Sequence, residues 1–228
     1  MLITTRQKHQ LAPLTLEITL DSVPIQQVNE HRVLGVVLDS EMNWQAHLSS
    51  LFKILSRNLF LMSQLKKFTD VSTLKLYYYA HIMPHINFAS TLWDGCSDAC
   101  MKKLRSLHRR AIKLILPDST IPTDIKHQLL NILPLHQQLE FNKAVWMFKI
   151  YHGEAPPYLE SLIRKATDRY GSDKLIPPLP RIDLYKTSFA FSGSLIWNSL
   201  PRSLKHISTA KAFKRELRKH LIYTQSNS

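Results

Sequence analysis

Residues 44–65, which read WQAHLSSLFKILSRNLFLMSQL, decide the fold of this chain. Large apolar residues recur in this stretch at intervals of three and four, which is the spacing of one face of an α-helix. The stretch therefore predicts a long amphipathic helix, and the segments on either side must supply the surface that covers its apolar face. The apolar positions are Leu48, Leu51, Phe52, Leu55, Leu59, Met62 and Leu65.

The segment before this helix, residues 14–39, has the pattern of β-strands. Apolar and polar residues alternate from Leu14 to Leu20, which is typical of a half-buried strand, and Asp21-Ser22 predicts a turn. Residues 32–38 form an apolar β-branched run that predicts a covered strand. Gly35 within that run indicates either a bulge or the close approach of another backbone. We expect a hairpin plus one further strand, which is too small to be stable without packing partners.

The segment after this helix remains helical. Thr69 or Asp70 can cap a second helix that continues to Pro84, and Ser97 can cap a third helix that ends before Pro117. Three helices joined by short polar breaks predict a compact bundle. Further helices are predicted at about 122–132, at 137–151, after Pro156-Pro157 and at about 209–223, with a Pro-rich extended connection over 166–190.

The predicted fold class is mainly α, with a small N-terminal β segment followed by a helical bundle and further C-terminal helices. We divide the chain into a β segment at 1–40, a three-helix bundle at 41–117 and a C-terminal helical region at 118–228. The 228 residues are 44% hydrophobic and 21% charged, which is the composition of a globular protein. The presence of only five glycines argues against a glycine-rich phosphate loop.

Net charge is the strongest compositional signal. Thirty Lys and Arg against 17 Asp and Glu give a formal net charge of +13. Such a surface attracts polyanions, of which nucleic acid is the commonest, and an anionic membrane surface is the main alternative. Residues 71–93 are apolar but interrupted by polar residues, which predicts a buried helix and no membrane span. No secretory signal pattern begins the chain and only two cysteines occur, so we expect a cytoplasmic or nuclear protein.

The third helix contains the clearest candidate site. One side of it is cationic with no acid among the cations, and such a row can follow a phosphate backbone. The alternative is the solvated face of a basic protein, and the net charge favours phosphate binding. The apolar side is predicted to comprise Leu104, Leu107, Ala111, Leu114 and Ile115, with Ile112 at its edge, and the cationic side Lys102, Arg105, Arg109, Arg110 and Lys113.

The last helix is also basic, with an apolar stripe of Phe213, Leu217 and Leu221. The pattern fits a nucleic-acid contact and a helix docked on the body with its basic side in water equally well. We include three of its cations, Lys214, Arg215 and Arg218, among the candidate nucleic-acid-binding residues.

Other patterns that could support chemistry are weak. His81, His85, Cys96 and Cys100 have a spacing that a zinc site could use. Pro84 lies between the histidines and Cys100 lies inside the third helix, so we interpret these residues as buried thiols and surface imidazoles. No carboxylate cluster, nucleophile elbow or phosphate loop is found. We expect no catalytic residues, no bound metal and no cofactor.

Several stretches resemble LINE-type (non-LTR) retrotransposon reverse transcriptases, the jockey-like elements among them. Residues 32–39 and 42–48, Arg-Val-Leu-Gly-Val-Val-Leu-Asp and Met-Asn-Trp-Gln-Ala-His-Leu, resemble the "LGV.LD..L.W..H" signature that follows the palm of these enzymes. Residues 76–93 are similar to the thumb helix of the family, and the basic third helix follows in the family's order. Residues 191–201 resemble the "G..LWN.LP" ending, and Phe213-Lys214 begins a similar closing helix.

The resemblance implies that the chain corresponds to the end of the palm, the thumb and the C-terminal region of an RNA-directed DNA polymerase. Leu34, Gly35 and Val36 would correspond to the primer-grip strand, and the third helix to a thumb element along the template–primer. The catalytic Tyr/Phe-x-Asp-Asp turn of the family is absent, so we expect no polymerase activity from the chain itself. The implied capacity is sequence-independent binding of duplex or RNA–DNA hybrid, with the upstream polymerase domains as further partners. The alternative is a non-enzymatic interaction module or an inactive relic.

Overall fold

The computed structural model of the chain describes Met1, Ile3 and residues 17–166 and 173–226. These residues are mainly helical, with two small β-hairpins before the first helix, so the predicted fold class is confirmed. Leu14 and Leu16 of the predicted first strand lie outside the described residues, as does part of the predicted connection over 166–190. None of the described helices has the length and apolar content needed to cross a membrane.

The hairpins are antiparallel. Strand β1 (Ile18–Leu20) pairs with β2 (Val23–Ile25), and β3 (Glu30–Val33) pairs with β4 (Val36–Asp39). The predicted turn at 21–22 is confirmed, and both of its residues have a positive φ, as two-residue hairpin turns require. The prediction of one covered strand over 32–38 is wrong, because Leu34 (φ 47°) and Gly35 (φ 88°) form a second such turn. Glycine adopts a positive φ at little cost, so Gly35 permits the chain to reverse there.

The first hairpin is exposed along both of its strands. The expectation of a half-buried strand is therefore wrong for the described residues Ile18–Leu20. An alternating pattern shows which side chains share a face, but burial of that face depends on a packing partner that the local sequence does not specify.

Eleven α-helices are described. The single second helix expected up to Pro84 is interrupted at Ile82, since Pro84 has no N–H to donate to the carbonyl group four residues earlier. No helix is predicted from the sequence over residues 189–205, where the structure has two. The helices are α1 (Gln45–Leu65), α2 (Val71–His81), α3 (Met83–Asn87), α4 (Ser90–Trp93), α5 (Asp98–Ile115), α6 (Thr123–Leu130), α7 (Leu135–Tyr151), α8 (Asp183–Lys186), α9 (Phe189–Ser199), α10 (Arg202–Lys205) and α11 (Ala210–Ser226), with a 3₁₀ segment at Pro157–Leu162.

The first hydrophobic core is built around α1, which packs against α5. The predicted apolar face of α1 is buried from Leu48 to Met62, whereas Leu65 at its end is 37% exposed. Helices α2 to α4 add Tyr78, Ile86 and Trp93 to this core. Helix α6 and the first turns of α7 also contribute, through Leu130, Ile132, Leu135 and Leu139.

The second hydrophobic core lies on the later turns of α7, against α9 and α11. Trp197 is fully buried in it, and its indole N–H donates to the carbonyl oxygen of Asp173 at 2.8 Å. The neighbouring Asn198 side chain bonds both the N–H and the carbonyl oxygen of Leu175, each at 2.8 Å. These bonds hold the segment before α8 against the core.

A buried carboxylate connects the β segment to α1. The carboxylate of Asp39 accepts the backbone N–H groups of Glu41, Asn43 and Trp44 at 3.1, 3.0 and 2.9 Å. These bonds shape the turn in which Trp44 has a φ of 64° and buries its ring immediately before α1. The imidazole of His47 then accepts the backbone N–H of Val37 at 3.4 Å, which fixes β4 beside the helix.

Two stacked histidines, one on the buried side of α5 and one on α6, fix the position of α5. The His108 ring on α5 stacks on His127 of α6 at 5.4 Å between centroids, and its Nε2 lies 2.7 Å from the Tyr78 hydroxyl. His127 in turn bonds the carbonyl oxygen of Ile132 through Nδ1 at 3.0 Å. Burial lowers the pKa of His108 to about 3 and also lowers the pKa of His127. Both rings are therefore neutral at pH 7.

We expect the free energy of unfolding to decrease as the pH is lowered from 7 to 5. The folded pKa of His108 lies below the ordinary value of 6.5. Its contribution to stability is therefore complete above pH 6.5 and is lost progressively as the pH falls toward 3. Between pH 7 and pH 5 His108 alone accounts for a loss of about 2 kcal/mol. Urea unfolding at the two pH values measures this loss.

The matched variant is His108→Gln, whose amide can still bond the Tyr78 hydroxyl but does not titrate. Its loss of stability between pH 7 and pH 5 should be smaller than that of the parent by about 2 kcal/mol. An equal loss in both proteins would show that the pH dependence does not come from His108.

Candidate nucleic-acid interface

The basic helix α5 begins at a cap and is fixed by its apolar side. The Ser97 hydroxyl accepts the backbone N–H of Cys100 at 3.4 Å, and Asp98 places a negative charge in the first turn, where the helix dipole favours it. The predicted apolar side faces the core. Its buried residues are Leu104, Ala111, Ile112 and Ile115, with Leu107 and Leu114 half-buried, and the structure adds Cys100 and His108, which the periodicity does not identify.

The structure places all five predicted cations of α5 on its exposed side. They line a shallow concavity in which the only other described residue is Ser106. None of the five forms an ion pair with an acidic residue in the part of the chain that the structure describes. Their positive charge is therefore available to an external anion. The five are Lys102, Arg105, Arg109, Arg110 and Lys113.

The length of this cationic row suits a nucleic-acid backbone. From Lys102 to Lys113 the helix rises by about 16 Å. A duplex carries one phosphate per ~1.7 Å of its axis, so about ten phosphates lie alongside such a length. Flexible Lys and Arg side chains can reach several of these phosphates without reading a base edge.

Ser106 is a site residue missing from the sequence prediction, although its spacing of three from Arg109 and four from Lys102 and Arg110 could have identified it.

The three candidate cations of α11 have different surroundings. Arg215 is paired with the adjacent Glu216 at 2.8 Å. The guanidinium of Arg218 donates to the Tyr79 hydroxyl at 3.0 Å and to the carbonyl oxygen of Asn131 at 2.6 Å, so it fastens α11 to the body. Lys214 and Arg218 line a separate groove and do not join the concavity of α5. The apolar stripe of this helix is buried in the second core, as a docked helix requires.

The primer-grip-like residues do not form a strand. Leu34 and Gly35 are the turn between β3 and β4, and the Leu34 side chain is 92% exposed. Only Val36 belongs to a strand, and it is buried in the first core. A Cβ atom at Gly35 would lie 3.4 Å from the Phe88 ring, so the turn lies against the segment between α3 and α4.

The zinc-like spacing does not produce a cluster of ligands. His81 and His85 are exposed, Cys96 is half-buried, and Cys100 is buried with its Sγ 3.1 Å from Oε1 of Gln45. Burial and the neighbouring Cys100 raise the pKa of Cys96 to about 11, which disfavours the thiolate that binds metals. Within residues 17–166 and 173–226, no group of three or more His, Cys, Asp or Glu side chains could hold an ion.

Some cations have structural roles that composition alone does not distinguish. Lys126 is buried, and its ammonium donates to the carbonyl oxygen of Leu116 at 2.8 Å, at the C-terminal end of α5. This contact satisfies a free carbonyl and complements the helix dipole. Lys205 is likewise buried and donates to the carbonyl oxygen of Asn198. The row on α5 differs because its side chains are exposed.

No protein-family model, no curated protein and no solved structure matches the chain.

Replacing two arginines of the row should leave the fold intact. Arg105→Ala with Arg109→Ala removes exposed side chains and relieves repulsion among like charges, so we expect a change in unfolding free energy of less than about 0.5 kcal/mol. Ala111→Asp instead places a carboxylate in the core and should destabilise by more than about 3 kcal/mol. Urea unfolding of the three proteins measures both effects. A similar loss in both variants would place the arginine side chains in the packing of α5 and not on its free face.

Proposed function

We propose that this chain binds duplex or RNA–DNA hybrid nucleic acid through α5, without reading its sequence. The observation that carries the proposal is the exposed row of five cations that lacks an acidic partner among the described residues. Contact with phosphates releases condensed counterions, which supplies affinity that does not depend on base sequence. The net charge of +13 adds long-range attraction to any polyanion.

We further propose that the chain corresponds to the end of the palm, the thumb and the C-terminal region of a LINE-type reverse transcriptase. The support is the order of the resembling stretches, from residues 32–39 to the closing helix. In this proposal α5 belongs to the thumb, and the upstream polymerase domains are a partner. This proposal gives the chain no polymerase activity by itself, because its sequence lacks the Tyr/Phe-x-Asp-Asp turn whose carboxylates two-metal phosphoryl transfer needs.

Binding should weaken steeply with salt. Four to five phosphate contacts give a slope of log K against log salt of about −4, which is a loss of roughly 200-fold between 50 and 200 mM. Arg105→Ala with Arg109→Ala should change the slope to about −2 and weaken binding at least tenfold at 50 mM salt. Fluorescence anisotropy with two hybrids of unrelated sequence measures both quantities, and the losses should agree between the hybrids.

The matched control is Arg181→Ala with Arg202→Ala, which removes the same charge from exposed positions outside α5. Its affinity should stay within about twofold of the parent, with a smaller change in slope than the α5 pair shows. If the α5 pair retains parental affinity and slope, its cations form only a solvated face, and the interaction-module or relic alternative becomes the better one.

We expect the purified chain to extend no primer with either Mg²⁺ or Mn²⁺. Phosphoryl transfer requires carboxylates that converge on two cations, and the sequence offers no such pair. Incorporation of labelled deoxynucleotides on a primer–template, compared with a heat-inactivated sample, measures this activity. Template-dependent incorporation above the heat-inactivated level would contradict the proposal that the chain is non-catalytic by itself.

A further inference from the structure

A second concave surface lies outside α5. This groove has a volume of about 850 Å³ and is bounded by α2–α4, α7, the 3₁₀ segment, the start of α9 and α11. None of its described lining residues belongs to α5. A protein contains few apolar concavities of this size, and those it contains are the usual places for a binding partner.

The lining of the groove is apolar and partly exposed. Trp146 on α7 is 41% exposed, Leu92 on α4 is 52% exposed and Leu162 of the 3₁₀ segment is 40% exposed. Met83 and Phe141 also belong to the lining. Large apolar side chains gathered in a concave surface are in contact with water. A docked apolar face would release that water, which favours binding.

Side-chain amides hold the shape of the groove. The Gln138 amide donates to Oδ1 of Asn87 at 3.2 Å, and the Asn142 amide donates to the same oxygen at 3.0 Å and to the Ser90 hydroxyl at 2.9 Å. These bonds join α7 to α3 and α4, and all four residues line the groove. Because the amides satisfy one another, the groove is formed before any ligand arrives, and little ordering cost remains for binding.

The charge of the groove specifies an acidic occupant. Its charged lining residues in the described chain are Lys214 and Arg218, one turn apart on α11, and no acid accompanies them. The groups that accept from Arg218 are neutral, so its charge is not compensated there. Lys214 is exposed, and its ammonium group forms no hydrogen bond or ion pair within the described residues.

We propose that the groove binds an amphipathic α-helix of a partner protein, with an acidic residue beside its apolar stripe. A helix that binds in an apolar groove places an apolar anchor residue at every third or fourth position. The apolar lining of this groove comes from several elements, so it can contact several such anchor residues. Tyr79, Trp146 and Arg218 are the residue types that dominate binding energy at such surfaces. The acidic residue would lie at Lys214 and Arg218. This inference does not depend on nucleic-acid binding.

The test uses two fluorescein-labelled peptides of sixteen residues with leucine at four identical positions spaced three and four apart. The remaining positions are mainly glutamate in one peptide and mainly lysine in the other. Fluorescence anisotropy with the full chain in 150 mM salt should show the acidic peptide binding at least tenfold more tightly. Leu92→Asp should weaken this binding at least tenfold, and Lys214→Glu at least fivefold. Both replaced side chains are exposed, so urea unfolding should show parental stability.

The controls separate the groove from general attraction to a basic protein. Lys211→Glu makes the same charge change on the same helix, outside the groove, and should alter binding less than twofold. Arg105→Ala with Arg109→Ala should also alter it less than twofold, whereas that pair weakens hybrid binding if the α5 proposal holds. Equal binding of the two peptides, no detectable binding of the acidic one, or equal effects of Lys211→Glu and Lys214→Glu would overturn the assignment.

Discussion

Helix α7 contributes residues to both hydrophobic cores, and the arrangement of the other helices depends on that double contribution. Its first turns contribute Leu135 and Leu139 to one core, and its later turns contribute Ala144 and Phe148 to the other. A buried ion pair joins this helix to the end of α4, where Oδ2 of Asp94 is 2.7 Å from Nζ of Lys143 with both side chains less than 10% exposed. Burial raises the pKa of Asp94, and the Lys143 ammonium opposes that rise. Removing either partner would leave the other as an uncompensated buried charge, which strongly destabilises the fold.

The elements that sequence predicts well are those with one buried face. Helices α1 and α5 each show apolar residues at intervals of three and four, and the structure buries most of those positions, with Leu65 exposed and Leu107 and Leu114 half-buried. Helix α9 is missed because Ser192, Gly193 and Ser194 look like a loop, yet small residues are what its packing requires. A Cβ atom at Gly193 would lie 2.7 Å from Sδ of Met147 on α7. Such close approach between distant segments has no local signature.

Polar residues within the stretches 32–39 and 191–201 have structural roles. Asp39 binds three backbone N–H groups before α1, and Asn198 binds both backbone groups of Leu175. Such residues constrain the path of the backbone. The cations of α5 could be predicted because helical spacing alone determines their exposure. The surroundings of Arg218 could not, since its partner Tyr79 is 139 residues away in the chain.

The positive charge of the chain is divided between internal and external uses. Lys126, Lys143 and Lys205 are buried and bind carbonyl oxygens, a hydroxyl or a carboxylate of the chain itself. His108 lies on the buried side of α5, and burial lowers its pKa and keeps the ring neutral. The helix therefore carries no further positive charge on the side that faces the core. The five exposed cations of α5 therefore belong to the part of the net charge that no described acid compensates. Because cations that meet phosphates distinguish no base from another, a surface of this kind supports affinity for nucleic acid and gives no sequence specificity.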